Sequence, residues 1–126
     1  MVPPSQRPHI AIVESDEKAR EELLDLMRAA GYRAAPYVSA ESFLREGRAD
    51  AFDFLIADVR LPGIGGLELV KVLRQMGDAT PAVAIANTVS DALVEEALEA
   101  GAKCVLTKPV DARTLVFNIE LALISK

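Results

Sequence analysis

Residues 52–69 read FDFLIADVRLPGIGGLEL: six residues, almost all apolar, lead to a carboxylate at Asp58, and a Pro62-Gly63 turn follows shortly after. The stretch Phe52–Ala57 predicts a strand buried on both faces, since its apolar residues do not alternate with polar ones. Beyond the turn, Leu67, Val70 and Leu73 recur at helical spacing and predict a helix over Leu67–Met76. A strand covered on both faces belongs in a parallel sheet with helices on either side. The unit should therefore repeat along the chain.

It does so in both directions. HIAIV (His9–Val13) predicts a strand, and Ala19, Leu23, Leu26, Met27 and Ala30 place a helix over Asp16–Ala30 that Gly31 stops. Tyr32–Val38 reads as a weaker strand whose Pro36 suits a sheet edge, and Ser39 with Glu41 starts a short helix ending near Gly47. AVAIA (Ala82–Ala86) is another buried strand. Thr88, three residues before Asp91, resembles a capping box, ahead of a helix with Val94, Ala97 and Leu98 on its stripe and Gly101 at its end. Cys104–Thr107 is a last short strand. Asp111 caps a closing helix with Leu115, Val116, Ile119 and Leu123 inward. Five strands alternating with five helices predict an α/β fold with a doubly wound, five-stranded parallel sheet.

In such sheets ligand chemistry lies beyond the carboxyl ends of the strands. Glu14 and Ser15 close the first strand, Asp58 the third, Ala86 to Thr88 the fourth and Lys108 the fifth, so two carboxylates and a lysine converge on one edge. A carboxylate at the end of a buried strand needs compensation, supplied by Lys108 or by a metal held with Glu14. A plainer reading of Asp58 is a turn cap that accepts backbone N–H groups from the VRLPG loop.

Composition narrows the function. The chain has 126 residues, 51% hydrophobic and 26% charged, enough for one domain with a sizeable core. Met1–Pro8, with three prolines, reads as a disordered tail, and residues 9–126 as the domain. A net charge of −5 argues against nucleic acid or a membrane surface as a direct partner. The single cysteine, Cys104, and the lack of a leader or spanning segment point to the cytoplasm. His9 is the one histidine, which leaves almost no material for zinc sites or Ser-His catalysis.

IAIVESDEKAR, FDFLIADVRLPGIGGLEL, PAVAIA and AGAKCVLTKPVD together resemble the receiver domain of two-component response regulators, from His9 to about Ile124. VRLPGIGG is similar to the nitrogen-fixation and transcription-factor branch. The resemblance implies a flavodoxin-like (receiver) fold with strand order 2-1-3-4-5. It also implies that Asp58 is the phosphoacceptor, loaded by a sensor histidine kinase or phosphotransfer protein. Mg²⁺ would be held by Glu14, Asp58 and the backbone carbonyl of Arg60, and Lys108 would bind a phosphoryl oxygen. The Lys108-Pro109 bond would be cis. An output protein or a C-terminal effector domain, and a homodimer, are further partners the family implies. The domain itself would not be an enzyme.

Three positions depart from the family pattern. Ser15 stands where a second acid usually binds the metal, Ala86 where a switch hydroxyl stands, and Val105 where an aromatic flips on activation. Asp16 is expected to cap its helix and not to ligate. These departures predict weak Mg²⁺ binding and an altered switch. They also keep a second function open, a pseudo-receiver that acts as a protein-interaction module without phosphorylation. An aspartate-nucleophile phosphatase fits poorly, because Arg60 stands where it would need a second acid. A flavin carrier fits as poorly, because ESDEKA replaces a phosphate-binding loop.

Overall fold

A computed structural model describes Pro3, residues 6–47 and residues 51–125. The elements, in chain order, are β1 (His9–Val13), α1 (Glu17–Ala29), β2 (Arg33–Tyr37), α2 (Ala40–Glu46), β3 (Phe54–Asp58), α3 (Gly66–Gln75), β4 (Ala82–Ala86), α4 (Asp91–Ala100), β5 (Val105–Thr107) and α5 (Ala112–Ile124). The five strands form one parallel sheet in the order β2-β1-β3-β4-β5, with Pro36 in edge strand β2. Part of the expected N-terminal tail, Met1, Val2, Pro4 and Ser5, lies outside the described residues. Closer to β1, the carbonyls of Arg7 and Pro8 accept hydrogen bonds from the Arg33 side chain and backbone N–H.

Pleating alone divides the core. Successive strand residues point to opposite faces, so Ile10, Ile12, Phe54, Ile56, Val83 and Ile85 pack under α1 and α5, against Leu23, Met27, Leu115 and Ile119. Ala11, Val13, Leu55 and Ala57 face the other way, against Phe43 of α2 and Leu69, Val70 and Leu73 of α3. α4 packs on the sheet where small side chains face it. There Ala84 meets Ala97, Ala100 and Ala102, and Leu93 and Val105 pack at the margin.

Four of the five helices begin on a side-chain cap, α3 starting instead at Gly65. Asp16 accepts from the Ala19 N–H at 2.9 Å, as expected, and Asp111 accepts from the Thr114 N–H. Ser39 forms a reciprocal box with Ser42, which leaves Glu41 free for another task. Two expectations fail at α4. Its cap is Ser90, whose hydroxyl accepts from the Leu93 N–H, because Thr88 lies still within the loop. Leu98 is 54% exposed, since close packing on alanine-lined strands turns the Ala97 and Ala100 side of the helix inward. On α5 the buried residues are Leu115, Ile119 and Ala122, while Val116 and Leu123 are half-buried. Phe52 is buried without being in β3. It stacks near His9 and Phe43 at the foot of the sheet.

That foot is stitched by Arg74 of α3. Its guanidinium donates to the carbonyls of Asp78 (2.9 Å), Thr80 (2.9 Å) and Gly101 (3.0 Å), joining the α3–β4 and α4–β5 loops. The opposite, carboxyl edge of the sheet carries the polar cluster.

Candidate functional site

Glu14, Asp58 and Lys108 meet at the carboxyl edge, brought from the ends of β1, β3 and β5. The order β1-β3-β4-β5 sets the two acids on adjacent strands and the lysine across β4. The Lys108 ammonium lies 2.5 Å from Glu14 Oε1 and 2.5 Å from Asp58 Oδ2. Both carboxylates are buried, Glu14 1% and Asp58 5% exposed, so the ammonium supplies the compensation a charge needs away from water. The Lys108-Pro109 peptide is cis, as the family resemblance implied. Lys108 is anchored by its own N–H, which donates to the Ala86 carbonyl at 2.9 Å.

The two readings of Asp58 turn out to be compatible. While Oδ2 receives the lysine, Oδ1 accepts the Arg60 N–H at 2.9 Å and shapes the turn. Behind that turn the chain must run close to itself. A Cβ on Gly66 would stand 2.2 Å from the Asp58 carbonyl oxygen, and one on Gly65 would stand 2.9 Å from that of Val59. Glycine is required at both places for room.

Electrostatics follow from burial. Desolvation pushes the Glu14 carboxyl above its ordinary range, and the neighbouring Asp58 adds to this while Lys108 opposes it. For Lys108, burial pulls downward, but the hydrogen bonds it donates to Asp58 and Glu14 outweigh it and hold the ammonium above its usual value. Two carboxylates and one ammonium make up the cluster. Such a donor set suits a small hard cation that keeps several waters. Among the described residues no three His, Cys, Asp or Glu side chains gather at one point.

Ser15 is exposed in the β1–α1 loop, next to Glu14. Ala86 is buried at the end of β4, 6% exposed, and Val105 is half-buried against the α4 cluster. Ala86 closes β4 and Val105 opens β5, and neither side chain carries a polar group.

Two residues at the site escaped the sequence. Arg20 of α1 donates to the carbonyls of Glu14 (2.9 Å) and Ser15 (3.2 Å), fixing the β1–α1 loop. A cation in the first turn of a helix opposes the helix dipole, and that was its one available signal. Glu41 of α2 accepts from the Ile64 N–H at 3.0 Å and clamps the loop after Asp58; this bond holds its carboxyl below the usual range. Nothing local in the sequence pairs residues so far apart.

Comparison with known proteins agrees with this geometry. The sequence profile of the response regulator receiver domain matches residues 10–120. The transcriptional regulatory protein FixJ of Azorhizobium caulinodans is 30% identical over 114 residues, covering 90% of this chain and 54% of that protein. The response regulator protein TmoT of Ectopseudomonas mendocina is 33% identical, covering 90% and 52%. The chain thus spans about half the length of these relatives. Among solved structures, a putative response regulator from Chloroflexus aurantiacus superposes with a TM-score of 0.87 at 30% identity, over 94% of this chain and 99% of that one. The response regulator StyR gives 0.84 at 32% identity, over 93% and 59%.

Proposed function

Because the chain belongs to the response regulator receiver family, we propose that it works as a phosphoacceptor in two-component signalling, loaded on Asp58 by a sensor histidine kinase or phosphotransfer protein. The observation that carries this is the buried cluster of Asp58, Glu14 and Lys108 at the edge of the sheet. Asp58 forms a P–O bond as the donor's P–N bond breaks, and the electron pair leaves on the imidazole nitrogen. Both Asp58 oxygens are engaged at rest, so Lys108 must release Oδ2 and take up a phosphoryl oxygen, while Glu14 keeps hold of the ammonium. Arg60 N–H fixes the carboxylate plane meanwhile.

Glu14, Asp58 and the Arg60 backbone carbonyl would hold Mg²⁺. When bound, it neutralises charge between nucleophile and phosphoryl group. With Ser15 in place of an acid, that site is weak. The domain transfers no group to a further substrate, so it is a signalling module and not an enzyme. Its message passes to an output protein or a C-terminal effector domain, or through a homodimer.

A second reading, an interaction module that acts unphosphorylated, draws on Ala86 and Val105, which lack the groups that would relay a charge change. One experiment separates the two. On incubation with acetyl phosphate and Mg²⁺, intact-mass spectrometry should show one added phosphoryl group, absent from Asp58→Asn. No adduct at saturating Mg²⁺ would establish the unphosphorylated module.

Among the described residues, no helix is long and apolar enough to cross a membrane.

A further inference from the structure

The β4–α4 connection is fixed at both ends and free between them. At its start the Ala86 carbonyl receives the Lys108 N–H. At its end Ser90 caps α4, its hydroxyl accepting from Leu93 N–H and its carbonyl from Val94 N–H, both at 3.1 Å. Among the described residues, no hydrogen bond involves Asn87, Thr88 or Val89. Asn87 and Thr88 of this stretch border a cavity of about 290 Å³ whose walls also include Asp58, Arg60, Ala86 and Leu93.

A phosphoryl group on Asp58 brings three acceptor oxygens, of which Lys108 can cover one. An oxygen turned toward the cavity would face a wall that Ala86 helps to form, and a methyl group donates nothing. Three polar side chains of the connection could serve instead. Ser90 is committed as the helix cap, and moving it would cost α4 its start. Asn87 stands between this cavity and the separate cleft beside α1 that Leu23, Leu26 and Pro109 line. Thr88 borders the Asp58 cavity alone, and its hydroxyl is uncommitted among the described residues.

We propose that Thr88 donates its hydroxyl to a phosphoryl oxygen on Asp58, through an inward shift of residues 87–89 about the two fixed ends. The inference rests on Asp58 being the phosphoacceptor. It makes Thr88 a binding residue for the phosphoryl group and the point where loading first touches α4, one residue from the Val89-Ser90 entry to the helix.

Beryllofluoride with Mg²⁺, a mimic of the acyl phosphate, tests it by NMR titration. A hydrogen bond to a charged group implies that Thr88→Val weakens apparent beryllofluoride affinity by about tenfold to hundredfold. Thr88→Ser should keep most of the affinity, and Ala86→Thr added to Thr88→Val should restore it. Thr88 is exposed, so neither single variant threatens folding. In the wild-type protein the Leu93 amide should shift on binding, and in Thr88→Val it should not. Equal affinity of wild type and Thr88→Val, or equal losses in the Ser and Val variants, would overturn the role of the hydroxyl. Failure of every form to bind beryllofluoride at saturating Mg²⁺ would overturn the phosphoacceptor reading itself, a different result.

Discussion

Replacing Gly66 with alanine isolates the close approach on which the phosphoacceptor turn depends. The new Cβ would lie 2.2 Å from the Asp58 carbonyl oxygen and 2.8 Å from its carbon, both rigid backbone atoms. Relief requires the start of α3 and the end of β3 to separate by about 1 Å, an overpacking that costs roughly 1–3 kcal/mol. The gain in helix propensity, at most about 1 kcal/mol and smaller in a first turn, offsets part of this. A net loss of about 2 kcal/mol is expected, which lowers a urea midpoint by about 1 M at a typical m-value. Gly31→Ala is the control, because Gly31 has φ +91° and nothing within 4 Å of a new Cβ. It should lose about 1–2 kcal/mol through backbone strain alone. Both variants are measured by urea unfolding and by acetyl phosphate labelling of the folded protein. Labelling should fall in Gly66→Ala, where the backbone of Asp58 has moved, and stay at the wild-type level in Gly31→Ala. A Gly66→Ala protein with unchanged midpoint and unchanged labelling would refute the reasoning.

Other perturbations address the metal, the switch and the foot of the sheet. Ser15→Asp should tighten Mg²⁺ binding about tenfold or more in an NMR titration, since it adds a charge beside Glu14 and Asp58; equal affinities would refute the weak-site reading. On loading with beryllofluoride, amide shifts should gather at Glu14, Asp58, Lys108 and the β4–α4 loop and leave Val105 and Arg113 nearly still, because Val105 has no large rotamer to exchange; strong shifts on β5 and α5 would show another relay. His9 is held below its ordinary value of 6.5 by burial and then by Arg33. Its neutral form therefore favours the fold, a contribution complete above about pH 6.5 and lost as pH falls through the lowered value. Between about pH 7 and pH 5, wild type should lose more stability than His9→Gln, and parallel pH profiles would contradict this.

Most of the architecture was legible because it rests on local patterns. The five apolar runs became the five strands, and Pro36 marked the edge. Asp58 and Glu14 could be singled out because each is a charge at the end of a buried run, and Lys108 because it is the cation that follows the last strand; the parallel sheet then brought them together. What failed depends on packing partners. The cap of α4 fell to Ser90 because loop geometry, not residue type, decides which hydroxyl meets the first turn. Leu98 fits a helical stripe as well as Ala97 does, but only close packing on Ala84 explains why the smaller residues face inward. Arg20 and Glu41 bind backbone groups of other segments, which no spacing rule encodes.

Arg74 gives the molecule a chassis and a workbench. By holding three carbonyls of two loops at the foot of the sheet, it secures the crossovers into β4 and β5 without using any residue from the carboxyl edge. Loops at the working end can accordingly be exchanged, shortened or grafted from relatives while the strands keep their register. With the foot held in this way, a chain with Ser15 and Ala86 at its carboxyl edge still folds as its family folds.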